Sequence, residues 1–355
     1  MKKHRILAIL LSVVMTVSVI TGCSASDSSD DASSQAQADD ELGLGSIVVY
    51  GKGEQVRGLA IPYVTFETGK RLAEEINSWK REMGDSVNVY AMPIPLSSQF
   101  YMPDSMKGQG TDQHENIKNI IGNLKGVVGI NCVSELEQHV NEDIYARTDH
   151  HWLPLGAYYG AKVFAQEAQV DYPPLDQYDK FTKEGFVGTY YTYSNYDKSL
   201  EQHPDTFVYF KPKNIKEVSC TYYNLSFTQK IDHPKTDESG MFIDSLDGSK
   251  CYSVFFGGDA QMQEIKTSCT NNRVLVIFKN SYANAMVPFL TNSFSKIYVC
   301  DYRYSNINGV DFCKKVGCTD LLFAGVLPLI CSDVGIGHLE RIRVKEGKND
   351  SNEEK

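Results

Sequence analysis

The 355-residue chain is short of basic side chains: 35 Lys and Arg stand against 45 Asp and Glu, a formal net charge of −10. Such a balance repels phosphate backbones, so nothing in the composition supports nucleic-acid binding. No H-E-x-x-H pattern is present, which removes the helical zinc-hydrolase arrangement, and no glycine-rich loop has the spacing of a nucleotide site. Gly257-Gly258 before Asp259 reads as a turn after a strand. Beyond residue 22 the chain also lacks an apolar run long enough to cross a bilayer. The nearest, LLFAGVLPLI at 321–330, is too short and contains Pro328.

What is present begins with MKKHRILAILLSVVMTVSVITGC, where Lys2, Lys3 and Arg5 precede an apolar segment ending at Gly22-Cys23. A basic start, a short apolar stretch and a small residue before Cys fit a lipoprotein signal, with residues 1–22 removed and lipid carried by Cys23. An ordinary signal peptide or an uncleaved anchor is the alternative. Lipid on Cys23 would hold an exported protein at the outer face of the cell membrane without crossing it. Residues 23–41 have no aromatic and few large apolar side chains, too little to offset the entropy of ordering, and are expected to be a disordered tether. Loss of the three basic leader residues takes the charge from −10 to about −13.

Besides Cys23 there are eight cysteines: Cys132, Cys220, Cys251, Cys269, Cys300, Cys313, Cys318 and Cys331. An even number in an exported chain permits disulfides, but a domain of this size does not need them in place of a core. Several lie in apolar runs that suit buried thiols. Cys313 and Cys318 have no second pair to complete a zinc knuckle, so no metal is expected there.

An α/β domain is expected over residues 42–340, followed by a polar tail at 341–355. LGSIVVYGKGEQVRGLAIPY suggests an opening strand or hairpin, and residues 66–83 place Leu72, Ile76 and Trp79 on one helical face. SVNVYAMPIPLSS reads as a strand running into a loop at Pro93 and Pro95. Residues 111–126 and 132–143 read as helices, as does 155–168 after Pro154. From about 169 to 250 short extended runs rich in tyrosine suggest an irregular β-rich insertion, whose aromatics serve sheet packing or stack on sugars. CYSVFFGGD, NRVLVIF, SKIYVCDYRY and TDLLFAGVLPLI read as strands, with a helix after NRVLVIF; continuous apolar character there fits a mostly parallel sheet covered on both faces.

Two places carry chemistry. Asp149-His150-His151-Trp152 offers two imidazoles and a carboxylate; in extended backbone Asp149 and His151 face the same way. The bland reading makes Asp149 a helix cap and Trp152 a plug. His150 could bind substrate, pack behind the site or, with its two neighbours, ligate a metal, although no separated third ligand has recognisable spacing. Ser281 leaves the end of VLVIF where the chain turns, a placement that exposes a nucleophile, but without the G-x-S-x-G pattern. On composition alone, a solvent-facing helix cap explains Ser281 better.

TDHHW followed by Gly156-Ala157-Tyr158-Tyr159, together with CYSVFFGGDAQMQEI, VLVIFKNSYANAMVPFL and IYVCDYRY, resembles the bacterial family named for its DHHW motif. That family is similar to SGNH-type hydrolases and to the alginate O-acetylation proteins. The resemblance implies a three-layer SGNH-like core, with Ser281 as nucleophile, His151 as base and Asp149 as its orienter, and no cofactor. It implies an esterase or O-acetyltransferase acting on cell-envelope polysaccharide, and makes a membrane acyltransferase partner conceivable. Asn280 departs from the family's usual Asp before the serine, which leaves open a relative that binds glycans or assists assembly without turnover. Oxyanion donors are sought at the backbone N–H of Ser281 or Tyr282 and in the Pro93–Ser98 loop, with Ser97 and Ser98 as candidates. Trp152 and Tyr282 are expected near substrate or behind the site. Arg303 is expected to bind a carboxylate or to make an ion pair.

Overall fold

A computed structural model describes residues 43–344 except Pro234. The signal segment, the tether, Cys23 and most of the expected tail lie outside the described residues.

Seven strands form the central sheet in the order β4-β3-β11-β9-β10-β8-β7. They are β3 (Asn88–Ile94), β4 (Val128–Gly129), β7 (Ser219–Tyr223), β8 (Met262–Lys266), β9 (Val274–Lys279), β10 (Lys296–Asp301) and β11 (Asp320–Val326). The five strands from β4 to β10 run parallel, and β8 and β7 close one edge antiparallel. Alternate side chains of each central strand enter different cores. Leu275 and Ile277 of β9, with Leu322 and Ala324 of β11, point to one; Val276, Phe278, Leu321 and Phe323 point to the other. This period of two explains the unbroken apolar runs, because both faces are covered.

One face is covered by α1 (Phe66–Met83), α2 (Gln113–Gly122), α4 (Gly309–Val316) and α5 (Asp333–Val344). Trp79 of α1 packs its ring 5.1 Å from Phe278 and 5.2 Å from Phe323. Thr65 and Thr68 cap α1 reciprocally, and the helix ends where Gly84 takes a positive φ. The last helix continues past residue 340: Arg343 binds Glu75 at 2.7 Å, so the described part of the expected tail is helix.

The other face carries α3 (Pro154–Glu167), with Pro154 in its first turn, and the insertion. Within the insertion β5 (Tyr178–Phe186) and β6 (Asp205–Pro212) form a separate antiparallel pair, whereas β7 joins the main sheet. The opening hairpin is β1 (Ser46–Tyr50) with β2 (Arg57–Ile61). Differences from expectation are local. In CYSVFFGGD the first four residues belong to a 3-10 turn, Gly248–Val254, and Phe255 makes only an isolated bridge to Phe242 in place of a strand; the chain after β9 forms two 3-10 turns, Ser281–Ala285 and Val287–Leu290. Pro288 cannot donate the hydrogen bond that a continuous helix needs there.

Among the described residues the eight cysteines are unpaired thiols, six of them buried. Cys313 and Cys318 straddle the end of α4, where Cys318 Sγ lies 3.2 Å from the Asp320 carbonyl. No helix among the described residues is long and apolar enough to cross a membrane.

Candidate active site

Ser281 follows the C-terminal end of β9, the side of a parallel sheet where ligands gather in open α/β folds. Asn280 caps the turn, its Oδ1 accepting from the N–H of Tyr282 at 3.3 Å and of Val326 at 3.4 Å. Both are acceptor tasks that a carboxylate would also perform. The Asn280 Nδ2 is buried and has no partner.

The DHHW segment folds back on itself, Tyr145 bridging to Trp152, before Pro154 opens α3. His151 Nδ1 lies 2.6 Å from Asp149 Oδ1, and His151 Nε2 lies 2.8 Å from Ser281 Oγ. Residues 130 positions apart in the chain thus form one hydrogen-bonded line. The Asp149 N-terminal neighbours are fixed from outside: Asp205 accepts from the Thr148 N–H at 2.8 Å and from the Thr148 hydroxyl at 2.6 Å. On its far side, Asp149 Oδ2 accepts from the N–H and hydroxyl of Thr189 at 2.8 and 3.0 Å.

These contacts set the charges. Burial alone would raise the Asp149 pKa, but the attraction of His151 and His150 and the bonds from His151 and Thr189 outweigh it and hold the carboxyl well below its usual range. Asp149 therefore accepts only, so His151 donates through Nδ1–H and turns Nε2 toward the Ser281 hydroxyl. Burial and the neighbouring His151 lower the pKa of His150 to about 3. His150 is thus neutral at physiological pH. Its Nδ1 is 2.6 Å from Thr189 Oγ1, and its Nε2 is buried without a partner.

Asp149, His150 and His151 each bring one ligand atom within 4.8 Å of the others. Both ring nitrogens of His151 are, however, already engaged by Asp149 and Ser281. The cluster is accounted for by proton sharing.

The remaining candidates take defined places. Tyr252 stacks on His151 with ring centres 3.8 Å apart, and its hydroxyl reaches the carbonyls of Ser281 at 3.2 Å and Tyr282 at 2.9 Å. Trp152 Nε1–H donates to the same Tyr282 carbonyl at 2.8 Å, and the Tyr282 hydroxyl donates to the His150 carbonyl. Trp152 and Tyr282 thereby tie the two halves of the site together. The Tyr282 N–H is given to Asn280. Ser98 Oγ accepts from Gln113 at 3.1 Å, and no hydrogen bond links it or Ser97 to Ser281. Arg303 makes the ion pair: its Nη2 lies 2.8 Å from Asp301 and 3.1 Å from Asp259, and Lys279 binds both carboxylates. Two cations and two anions balance each other beneath the end of β9.

Sequence reading missed Gly188, Thr189, Asp205 and Tyr252. A Cβ on Gly188 would fall 2.2 Å from Asp149 Cβ, so only glycine lets the carboxylate approach Thr189.

The family description "DHHW protein" matches residues 16–300, well over half the chain. A crystal structure of a DHHW family protein from Eubacterium siraeum is 37% identical, covers 83% of this chain and 95% of its own, and superposes with a TM-score of 0.77. The chain belongs to the DHHW family. Two structures of PatB1 from Bacillus cereus, one with a sulfonyl adduct, are similar in fold. They are 19% and 18% identical with TM-scores of 0.66 and 0.65, and cover 81% and 82% of this chain and 98% and 99% of theirs. No curated protein matches. The DHHW chain has an SGNH-like α/β core, a central mostly parallel sheet between helical layers with a β-rich insertion.

Proposed function

We propose that the protein is a serine esterase or O-acetyltransferase of cell-envelope polysaccharide, anchored at the outer face of the membrane through lipid on Cys23. The observation that carries this reading is the 2.8 Å contact between His151 Nε2 and Ser281 Oγ, with Asp149 bonded at the opposite ring nitrogen. Ser281 Oγ gives its proton to His151 Nε2 and bonds to the carbonyl carbon of an ester. The imidazolium is held by Asp149 and returns the proton to the departing alcohol as the ester C–O bond breaks. The Ser281 acyl ester then meets water or a sugar hydroxyl. His151 takes that proton and gives it to Ser281 as the acyl group leaves as acid or new ester. The Ser281 N–H is the backbone donor assigned to the developing oxyanion. The resemblance of the motif segments to alginate O-acetylation proteins adds a carbohydrate hydroxyl as acceptor and a membrane acyltransferase as a source of acyl groups.

A second reading, a glycan-binding or assembly lipoprotein without turnover, is favoured by the low exposure of Ser281, 7%, and by Asn280. Acetyl release and transfer measured with acetylated and unacetylated envelope polysaccharide decide between them. Release or transfer that disappears in Ser281→Ala supports the enzyme. Neither reaction in the intact protein, with glycan binding retained, supports the binder.

A further inference from the structure

A second concave site lies against the other end of the DHHW segment. It is a cleft of about 520 Å³ whose lining includes Tyr50, Arg57, Tyr101, Asn141, Asp143 and Arg147. The Arg57 guanidinium lies 3.8 Å over the Tyr101 ring, and its Nη1 is buried without a hydrogen-bond partner. That nitrogen is out of reach of solvent, so the cleft's hydroxyl partners are its carboxylates and Asn141. Tyr50 leaves 47% of its surface exposed at the rim, an uncommitted aromatic face. Arg147 belongs to the active-site loop itself: its N–H binds Asp205 at 3.1 Å, the carboxylate that also holds Thr148.

The charge around the cleft selects its occupant. Two arginines face four lining carboxylates, Glu54, Glu142, Asp143 and Asp205, an excess of negative charge that repels polyanions. Carboxylates and an amide are good acceptors and donors for hydroxyls, an aromatic face suits a pyranose ring, and the volume falls in the usual range for small-ligand sites. We propose that this cleft is a second carbohydrate subsite, in which an uncharged sugar stacks on Tyr50 and bonds through its hydroxyls to Asn141 and the lining carboxylates. The inference rests on the polysaccharide reading for the source of that sugar. It places a neighbouring unit of the substrate chain beside the loop that carries Asp149.

The test uses the full chain carrying Ser281→Ala, so that no turnover occurs, titrated by calorimetry with tetramers of N-acetylglucosamine, mannose and galacturonate. The expected result is binding of at least one uncharged tetramer, weakened about fivefold or more by Tyr50→Ala, as loss of an aromatic stack implies. Asn141→Ala weakens it as well. Equal affinity in Tyr50→Ala, binding of the galacturonate alone, or binding of none of the three overturns the proposal. Covalent labelling of Ser281 by a fluorophosphonate is read separately in the intact protein. Sugar binding that depends on Tyr50 in a protein whose Ser281 takes no label would sink the enzyme reading and leave the subsite standing.

Discussion

Thr189 and Asp149 share two hydrogen bonds, both ending on Oδ2, from the Thr189 N–H at 2.8 Å and its hydroxyl at 3.0 Å. The carboxylate can only accept, so the single hydroxyl proton of Thr189 is committed to it. His150 Nδ1, 2.6 Å from the same oxygen, must then be the donor. One carboxylate thus orients two imidazoles, His151 directly and His150 through Thr189. Thr189→Val keeps the backbone bond and removes the hydroxyl, and is expected to lower kcat/KM about 10- to 100-fold, the equivalent of one hydrogen bond to a charged group. Thr189→Ser restores most of it. Steady-state kinetics on an acetyl ester check both, and equal rates in wild type and Thr189→Val would remove Thr189 from the account.

Gly188→Ala tests the close approach. Its methyl group would overlap Asp149 Cβ and Oδ2, at 2.2 and 2.3 Å. The loop must shift, with a stability loss of about 1–3 kcal/mol and a fall in kcat/KM larger than that of Thr189→Val. Thermal denaturation beside kinetics checks this, and an unshifted melting temperature with full activity would show that the two segments do not pack this way.

Stability is expected to fall in acid. His150 has a folded pKa of about 3 against an ordinary 6.5, so between those values the unfolded chain binds the extra proton and the folded state loses ground as pH falls. Asp149 is shifted down as well, which adds a loss from the ordinary aspartate range downward as its native pairing is titrated away. His150→Asn, whose amide can still donate to Thr189, flattens the slope between pH 6.5 and about 3. Chemical denaturation across that window reads it out; an unchanged slope would mean that His150 is not held neutral.

Asn280 is expected to work as an acceptor. Its Oδ1 serves two backbone N–H groups, whereas its Nδ2 has none to serve. Asn280→Asp preserves the turn and keeps activity within about tenfold, while Asn280→Ala leaves two buried donors unpaired and loses more than that. Activity falling further in the Asp variant than in the Ala variant would show that the amide N–H is the group that matters.

The DHHW segment and the serine were legible because each sits beside an element with a strong local signal. Pro154 marks the helix that follows the one, and VLVIF marks the buried strand that precedes the other. The parallel sheet was legible for the same reason. Gly188 and Thr189 were not, since they lie in an insertion without periodicity and reach Asp149 only through a contact 40 residues away. Tyr252 was hidden by its neighbours: CYSVFF has the apolar content of a strand, but its first four residues close the 3-10 turn Gly248–Val254, from which Tyr252 stacks on His151. Asp205 carried no local mark, as its partners Arg147 and Thr148 are 58 and 57 residues distant.

The most direct measurement is mass spectrometry of the intact protein and its peptides after exposure to a fluorophosphonate ester. The account predicts one adduct on Ser281, absent in Ser281→Ala and slowed at least about 100-fold in His151→Ala, where the proton acceptor is gone. No adduct on Ser281 in the folded protein, or labelling as fast without His151 as with it, would contradict it.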